Sequence, residues 1–347
     1  MRPKQFGGKV TKALIAQYEK SPNWRDGSFQ NMEETSLTTS LLKMPGIIYK
    51  QLTNKTDRAP KRSLPIVPFD KTAFLAPAEK ARMIWYGHSV VLMRMNNQTI
   101  LIDPMLGPDT TPIAPISTKR FSENTLSLID EFPEIDLLIL THDHYDHLDY
   151  ASMQKLKPKT KKYFVAMGVK RHLMSWGVDP GLITEFDWWD NQNFANINIT
   201  YTPTRHFSGR GLTDRLKSLW GGWVFKTTAE NIWFSGDGGY GAHFKEVGKR
   251  LGPFDFAFME CGQYNDDWRP IHLFPDESVQ AAIDGGAKKA MPVHWAGFAL
   301  SYQHTWKEPV EAFVKAAIEY QLDYTTPALG QPFDAASTMR EEWWIHY

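Results

Sequence analysis

The chain has 347 residues, enough for one large domain with a sizeable core or two modest ones. Its 39 Lys and Arg balance 39 Asp and Glu, so charge gives no electrostatic case for nucleic acid as a partner, and none is expected. The single cysteine, Cys261, excludes an internal disulfide framework and a cysteine-rich zinc site, so any metal must be held by His, Asp and Glu.

The opening residues, MRPKQFGGKV, begin basic but lack the apolar core of a signal peptide. No run approaches the length of a membrane-spanning helix, and the expected location is cytoplasmic. Residues 1–80, with scattered Pro, Lys, Asn and Thr, read as an N-terminal extension packing on a main domain at 81–347. Their apolar stretch Leu41–Leu52, broken by Pro45 and Gly46, reads as a short buried helix or turn. Peripheral membrane contact is the sharper alternative, because Lys43 and Lys50 flank its aliphatic residues. From residue 81, short β-like runs alternate with helical stretches. Met83–Met95 and Gln98–Ile102 read as two strands joined at Asn96-Asn97. Strands are expected at Ile135–Leu140, Tyr163–Ala166, Asn196–Tyr201, Gly222–Thr227, Asn231–Phe234, Phe254–Glu260 and Lys288–Val293. Helices are expected at Ala151–Leu156, Pro275–Asp284 and Glu308–Tyr320. This order predicts an α/β fold of sheets covered by helices.

The chemistry concentrates at Thr141-His142-Asp143-His144-Tyr145-Asp146-His147, directly after the apolar run Ile135–Leu140. Such a density of imidazole and carboxylate is not core filler, because each group would need a buried partner. These are the ligands that borderline metals such as zinc prefer. The design recurs where later strands end: at His206, at Asp237 within Ser235-Gly236-Asp237-Gly238-Gly239, and at His294. Sheets set such exits side by side along one edge, where binding sites lie.

The order His-x-His-x-Asp-His, then His206, Asp237 and His294, resembles the metallo-β-lactamase superfamily. Further segments, among them Trp85-Tyr86-Gly87-His88-Ser89, Ser235–Tyr240 and His294–Leu300, are similar to the N-acylphosphatidylethanolamine-hydrolysing phospholipase D-like branch. The N-terminal extension and the acidic loop Gln263–Arg269 depart from it. The resemblance implies a four-layer αβ/βα sandwich with the site at one edge. It implies two divalent ions, Zn2+ first, with Mn2+ or Fe2+ as alternatives. His142, His144 and His206 would hold one ion, Asp146, His147 and His294 the other, and Asp237 would bridge them. The implied function is a binuclear metal-dependent hydrolase, a phosphodiesterase using a metal-bridging hydroxide on a small-molecule or lipid phosphodiester. Asp146, Asp237 and His272 would serve catalysis, His272 on the leaving group. A lactonase or amide-type hydrolase on the same metals, or a non-hydrolytic metal-binding member, is the alternative.

His88 and Asp103 are expected to support the ligands. His304 is assigned to the site mouth or to a structural role. His172, His243 and His346 are expected at the surface, and Trp188-Trp189 and Trp343-Trp344 in packing.

Overall fold

The structure is a computed structural model that describes residues 3–35, 46, 49, 53, 57–111, 117–211 and 213–347. Apart from Gly46 and Tyr49, the stretch Leu41–Leu52 lies outside the described residues, and its membrane reading with it. Sixteen strands are described. A small N-terminal hairpin pairs β1 (Trp24–Arg25) with β2 (Ser28–Phe29). The first large sheet draws on β3 (Arg82–Trp85), β4 (Val91–Met95), β5 (Gln98–Ile102), β6 (Leu137–Leu140), β7 (Tyr163–Ala166) and β8 (Ile183–Phe186). The second draws on β9 (Asn191–Phe194), β10 (Ile197–Pro203), β11 (Gly221–Lys226), β12 (Asn231–Phe234), β13 (Phe256–Glu260), β14 (Lys289–Val293) and β15 (Asp323–Tyr324). Then β16 (Pro332–Phe333) returns to the first sheet.

The sheets run β16-β3-β4-β5-β6-β7-β8 and β15-β14-β13-β12-β11-β10-β9. Each has an antiparallel half, β16 to β5 and β9 to β12, continued by a parallel half. The parallel strands read as unbroken apolar runs because both faces are covered: β6, LLIL, is buried at every position. Between the sheets, aromatic rings interlock, Phe186 on Trp223 at 5.0 Å and Phe256 on Phe333 at 5.8 Å. Outside, helices Pro275–Asp284 and Glu308–Glu319 bury Val279, Ala281, Phe313 and Ala317 with Met259 and Ala290 of the second sheet. Helices Tyr150–Leu156 and Lys170–Ser175 bury Met153, Leu156 and Leu173 with the residues of the first sheet. The result is the expected four-layer sandwich.

One predicted strand is divided. The run Met83–Met95 is β3 and β4 with a turn between them, where Gly87 and His88 take φ of 85° and 54°. An apolar run hides such a break, because Tyr86 and Val90 on either side of it are also buried. Among the described residues no helix is long and apolar enough to cross a membrane.

Candidate metal centre

Strand exits carry the site. The segment Thr141–His147 leaves β6, His206 follows β10, Asp237 follows β12 and His294 follows β14. Two side chains reaching across the sandwich pin the base of the first segment. Tyr201 Oη donates to Thr141 O at 2.8 Å, and Trp223 Nε1 donates to Leu140 O at 3.2 Å. Glycines admit the close approaches. A Cβ on Gly236, whose φ is 68°, would stand 2.3 Å from Gly221 O, and one on Gly262 would stand 1.5 Å from His294 O. The turn after β3 meets the turn after β14 directly: His88 N–H donates to Trp295 O at 2.7 Å, and His294 N–H donates to His88 O at 2.9 Å. His88, Asp103 and His294 all hold positive φ, of 54°, 42° and 71°. Strained backbone of this kind persists only where its surroundings fix it, and it gathers at functional sites.

The seven predicted residues fall into two overlapping groups. His142 Nε2 lies 2.9 Å from His144 Nδ1, which lies 3.2 Å from His206 Nε2. In the second group Asp146 Oδ2 lies 3.2 Å from His294 Nε2 and 3.6 Å from His147 Nε2. Asp237 Oδ2 stands between them, 2.9 Å from His147 Nε2, 3.0 Å from His294 Nε2 and 4.0 Å from His142 Nε2. His88 joins the second group through its Nε2, 2.9 Å from Asp146 Oδ2. His272 also arrives, with a ring nitrogen within 4.8 Å of donor atoms of Asp237 and His294.

The outer nitrogens explain why the inner ones converge. His147 Nδ1 meets Asp103 Oδ2 at 2.8 Å, His206 Nδ1 meets Ile271 O at 2.8 Å, His142 Nδ1 meets Thr141 Oγ1 at 2.9 Å, and His294 Nδ1 meets Glu260 Oε1 at 3.3 Å. An acceptor at Nδ1 keeps a proton there and makes Nε2 the nitrogen that each ring turns inward, the one that would give its lone pair to a cation. His144 is turned the other way and offers Nδ1 to the cluster. Electrostatics agree with a ligand set. Burial first, then neighbouring imidazoles, holds His142 and His206 well below the usual histidine range. Burial takes His144 down to about 4 and His88 to about 3. Burial opposes ionisation of Asp237 and Asp146, yet the facing imidazoles outweigh it and hold both carboxyls well below the usual carboxylate range. Burial also pulls His147 down, but Asp237, Asp146 and Asp103 outweigh it and hold that imidazole at about 10. Buried imidazoles packed nitrogen to nitrogen around charged carboxylates make an unfavourable core, and a divalent cation is the group that this donor set fits.

Residues 98–295, more than half of the chain, match the family described as Beta-lactamase superfamily domain. The chain belongs to the beta-lactamase superfamily. An uncharacterised protein of Mycobacterium tuberculosis (strain ATCC 25618 / H37Rv) is 32% identical over 343 residues, 97% of this chain and 91% of that protein. N-acyl-phosphatidylethanolamine-hydrolyzing phospholipase D 1 of Caenorhabditis elegans is 29% identical over 238 residues, 65% of this chain and 66% of that protein. Among solved structures, a metallo hydrolase from the archaeon Ignicoccus hospitalis aligns with a TM-score of 0.56 at 18% identity, over 73% of this chain and 97% of that chain. That likeness carries the fold. The chain's relatives include a protein of Saccharolobus solfataricus named as a metal-dependent hydrolase, and the His and Asp cluster gives this chain a candidate metal site.

Other side chains around this superfamily site were not evident beforehand. Glu260, at the end of β13, is buried and touches both His294 Nδ1 and His272 Nδ1, the latter at 3.2 Å, while Leu273 N–H donates to its Oε2 at 2.7 Å. Burial pushes Glu260 up, and the bonds to His272 and His294 bring it below its ordinary value. A carboxylate closing an apolar strand beside a Cys-Gly step was the available signal. Two expected surface histidines are interior. His172 is fully buried with its Nε2 3.2 Å from Asp143 Oδ2, because its helix packs under the ligand segment. His243 is buried against Phe244, with ring centroids 4.0 Å apart. His346 is exposed. His304 stacks on Tyr264 at 4.3 Å and bonds Thr305 O, a packing role. Trp188 and Trp344 are buried, with Trp189 and Trp343 packed against the core.

Proposed function

We propose that this chain is a binuclear metal-dependent phosphodiesterase. His142, His144 and His206 would hold one divalent ion, Asp146, His147 and His294 the second, and Asp237 would serve both. Zn2+ is the expected metal, with Mn2+ and Fe2+ as alternatives. The observation that carries this reading is Asp237 Oδ2 in reach of His147, His294 and His142 at once, which joins two ligand groups through one carboxylate. Paired divalent ions supply a nucleophile at neutral pH and neutralise charge on the attacking and leaving oxygens of a displacement.

The chain's own groups divide the remaining work. Asp237 sets its charge between the ligand groups. Asp146, braced by His88, orients the second group. Glu260 holds His272 at Nδ1 and leaves the far ring nitrogen for the substrate. From there His272 gives a proton to the oxygen that leaves phosphorus, the role in which a positioned imidazole is effective. Trp268, with its ring centroid 6.4 Å from that of His272, walls the same side. A diester with an alkyl leaving group needs this proton most. Similarity to a phospholipase D that hydrolyses N-acyl-phosphatidylethanolamine supports a lipid or small-molecule phosphodiester as substrate.

The test is turnover by metal-loaded protein on a panel of alkyl and aryl phosphodiesters, lactones and β-lactams. The expected result is preferred cleavage of diesters, abolished by chelation and restored by Zn2+. Activity on lactones with none on any diester overturns the phosphodiesterase reading and leaves the carbonyl hydrolase.

A further inference from the structure

The N-terminal residues Asn31–Thr35 lie outside the 98–295 span of the superfamily domain, yet they are bonded to the loop that carries His206. Where β10 ends at Pro203 the chain leaves the sheet, and the buried peptide groups of His206 have no strand neighbour. Such groups need partners. Here one side chain supplies both. His206 N–H donates to Asn31 Oδ1 at 3.0 Å, and Asn31 Nδ2 donates to His206 O at 2.9 Å. A carboxamide presents the same donor and acceptor as a peptide unit, so Asn31 replaces one residue of a missing strand. Its Oδ1 is fixed in turn by Trp220 Nε1–H at 2.9 Å.

The same segment ties down both sides of the site edge. Arg205 donates through Nε to Thr35 Oγ1 at 2.9 Å and through Nη2 to Glu34 O at 3.1 Å. Glu33 Oε1 accepts Ala242 N–H at 2.6 Å, on the turn that follows Asp237. Farther along the loop, Phe29 N–H donates to Leu216 O at 3.0 Å, and Arg210 Nε donates to Gln5 O at 2.9 Å. The His206 ring is held from the opposite side by Ile271 O. Backbone and ring are therefore fixed by different parts of the chain, and the backbone half belongs to the N-terminal extension.

We propose that Asn31 is a positioning residue of the metal centre: by clamping both peptide groups of His206 it sets His206 Nε2 against His144 Nδ1, and the N-terminal extension is a working part of the His142–His144–His206 site. This rests on reading those three histidines as ligands. Asn31 touches neither substrate nor metal, and acts through the ligand it holds. Partners that orient a ligand in this way are typically worth about 10–100-fold in metal affinity. The loss should fall on one ion, because the contacts of Asn31 go to His206 and Trp220, not to Asp146, His147 or His294.

The test uses the full chain, titrated with Co2+ and with Zn2+ against a competing chelator, with the visible Co2+ spectrum as the reporter of ligand geometry. Wild type is expected to take up two ions. Asn31→Ala should weaken one ion about 10–100-fold and alter its spectrum, with the second ion unchanged and full stoichiometry restored by excess metal. Trp220→Phe removes the indole N–H that bonds Asn31 Oδ1 and Thr204 O without touching His206, and should lower the melting temperature with both affinities kept. If Asn31→Ala fails to fold, Asn31→Asp decides. It keeps the acceptor for His206 N–H and loses the donor to His206 O, so it should weaken the same ion. Wild-type affinities and spectrum in the variant that folds make Asn31 a fold anchor only and overturn the proposal, even if the melting temperature falls. A wild type that takes up no ion overturns the ligand assignment itself.

Discussion

Replacing Asp103 by Asn isolates the protonation pattern of the ligands from their shape. Asp103 is fully buried below the ligand segment and accepts Thr141 N–H at 2.8 Å, Thr141 Oγ1–H at 2.6 Å and His147 Nδ1–H at 2.8 Å. An amide of the same outline can still accept Thr141 N–H through its oxygen. It puts an NH2 where Oδ2 stood, facing two donors. His147 can keep a bond to that NH2 only as an acceptor at Nδ1, which moves its proton to Nε2, the nitrogen 2.9 Å from Asp237 Oδ2. That nitrogen then carries a proton where a ligand needs a lone pair. A hydrogen bond to a charged acceptor contributes ~1.5–3 kcal/mol, so the metal-free variant should be less stable by about that amount. Affinity for the ion assigned to His147 should fall ~10–100-fold. Denaturant unfolding of the metal-free proteins measures the first, and elemental analysis after dialysis against graded chelator measures the second. Far-UV circular dichroism should not change. An Asp103→Asn protein that keeps both ions at wild-type affinity refutes the tautomer argument.

Asp237→Ala should loosen both ions and lower turnover by orders of magnitude while circular dichroism stays near wild type; retention of both ions with full activity removes Asp237 from the bridging position. His272→Ala should cost ~10²–10⁴-fold on alkyl diesters and much less on diesters with an activated aryl leaving group. An equal loss on both classes takes the acid role from His272. His243 gives a pH dependence away from the ligands: burial, then the charge of Arg205, lowers its imidazole to about 3. Its folded value lies below its unfolded one, so its neutral form favours the fold fully above pH ~6.5, and that contribution is lost as pH falls toward about 3. Each pH unit in that window costs about 1.4 kcal/mol. His243→Phe should therefore narrow the stability gap between pH 7 and pH 5 by about 2 kcal/mol, as read by denaturant unfolding at the two pH values. An unchanged gap sinks the assignment.

The parts of the site that could be read in the sequence are those whose cause is local. An apolar run such as LLIL followed at once by His-Asp-His-Tyr-Asp-His carries its strand, its end and its chemistry in one stretch. The same holds for His206, Asp237 and His294. Side chains that orient these ligands come from segments distant in the chain, and no spacing announces Glu260. Glu260 reaches His272 and His294 from a neighbouring strand, whereas His88, expected to support the ligands, does so through Asp146. Burial of His172 and His243 was equally hidden, because a helix in isolation does not say which of its polar residues face the interior. The N-terminal extension looked like a covering segment because its composition is loose. Its hold on His206 depends on the single Asn31 amide, which no periodicity marks.

The peptide groups of His88 and His294, bonded to each other and to Trp295, have a consequence for metal exchange. Those two turns belong to opposite halves of the sandwich, so the halves cannot slide without breaking the rungs between them. Under the proposed ligand assignment, the backbone around His294 would be held before any ion arrives, and the dimensions of the cage that the second ligand group forms would come from the folded backbone rather than from the guest. A cage of this kind ranks incoming ions by size and softness, because it cannot reshape itself around each one. Swapping one divalent ion for another should therefore alter reactivity far more than it alters structure.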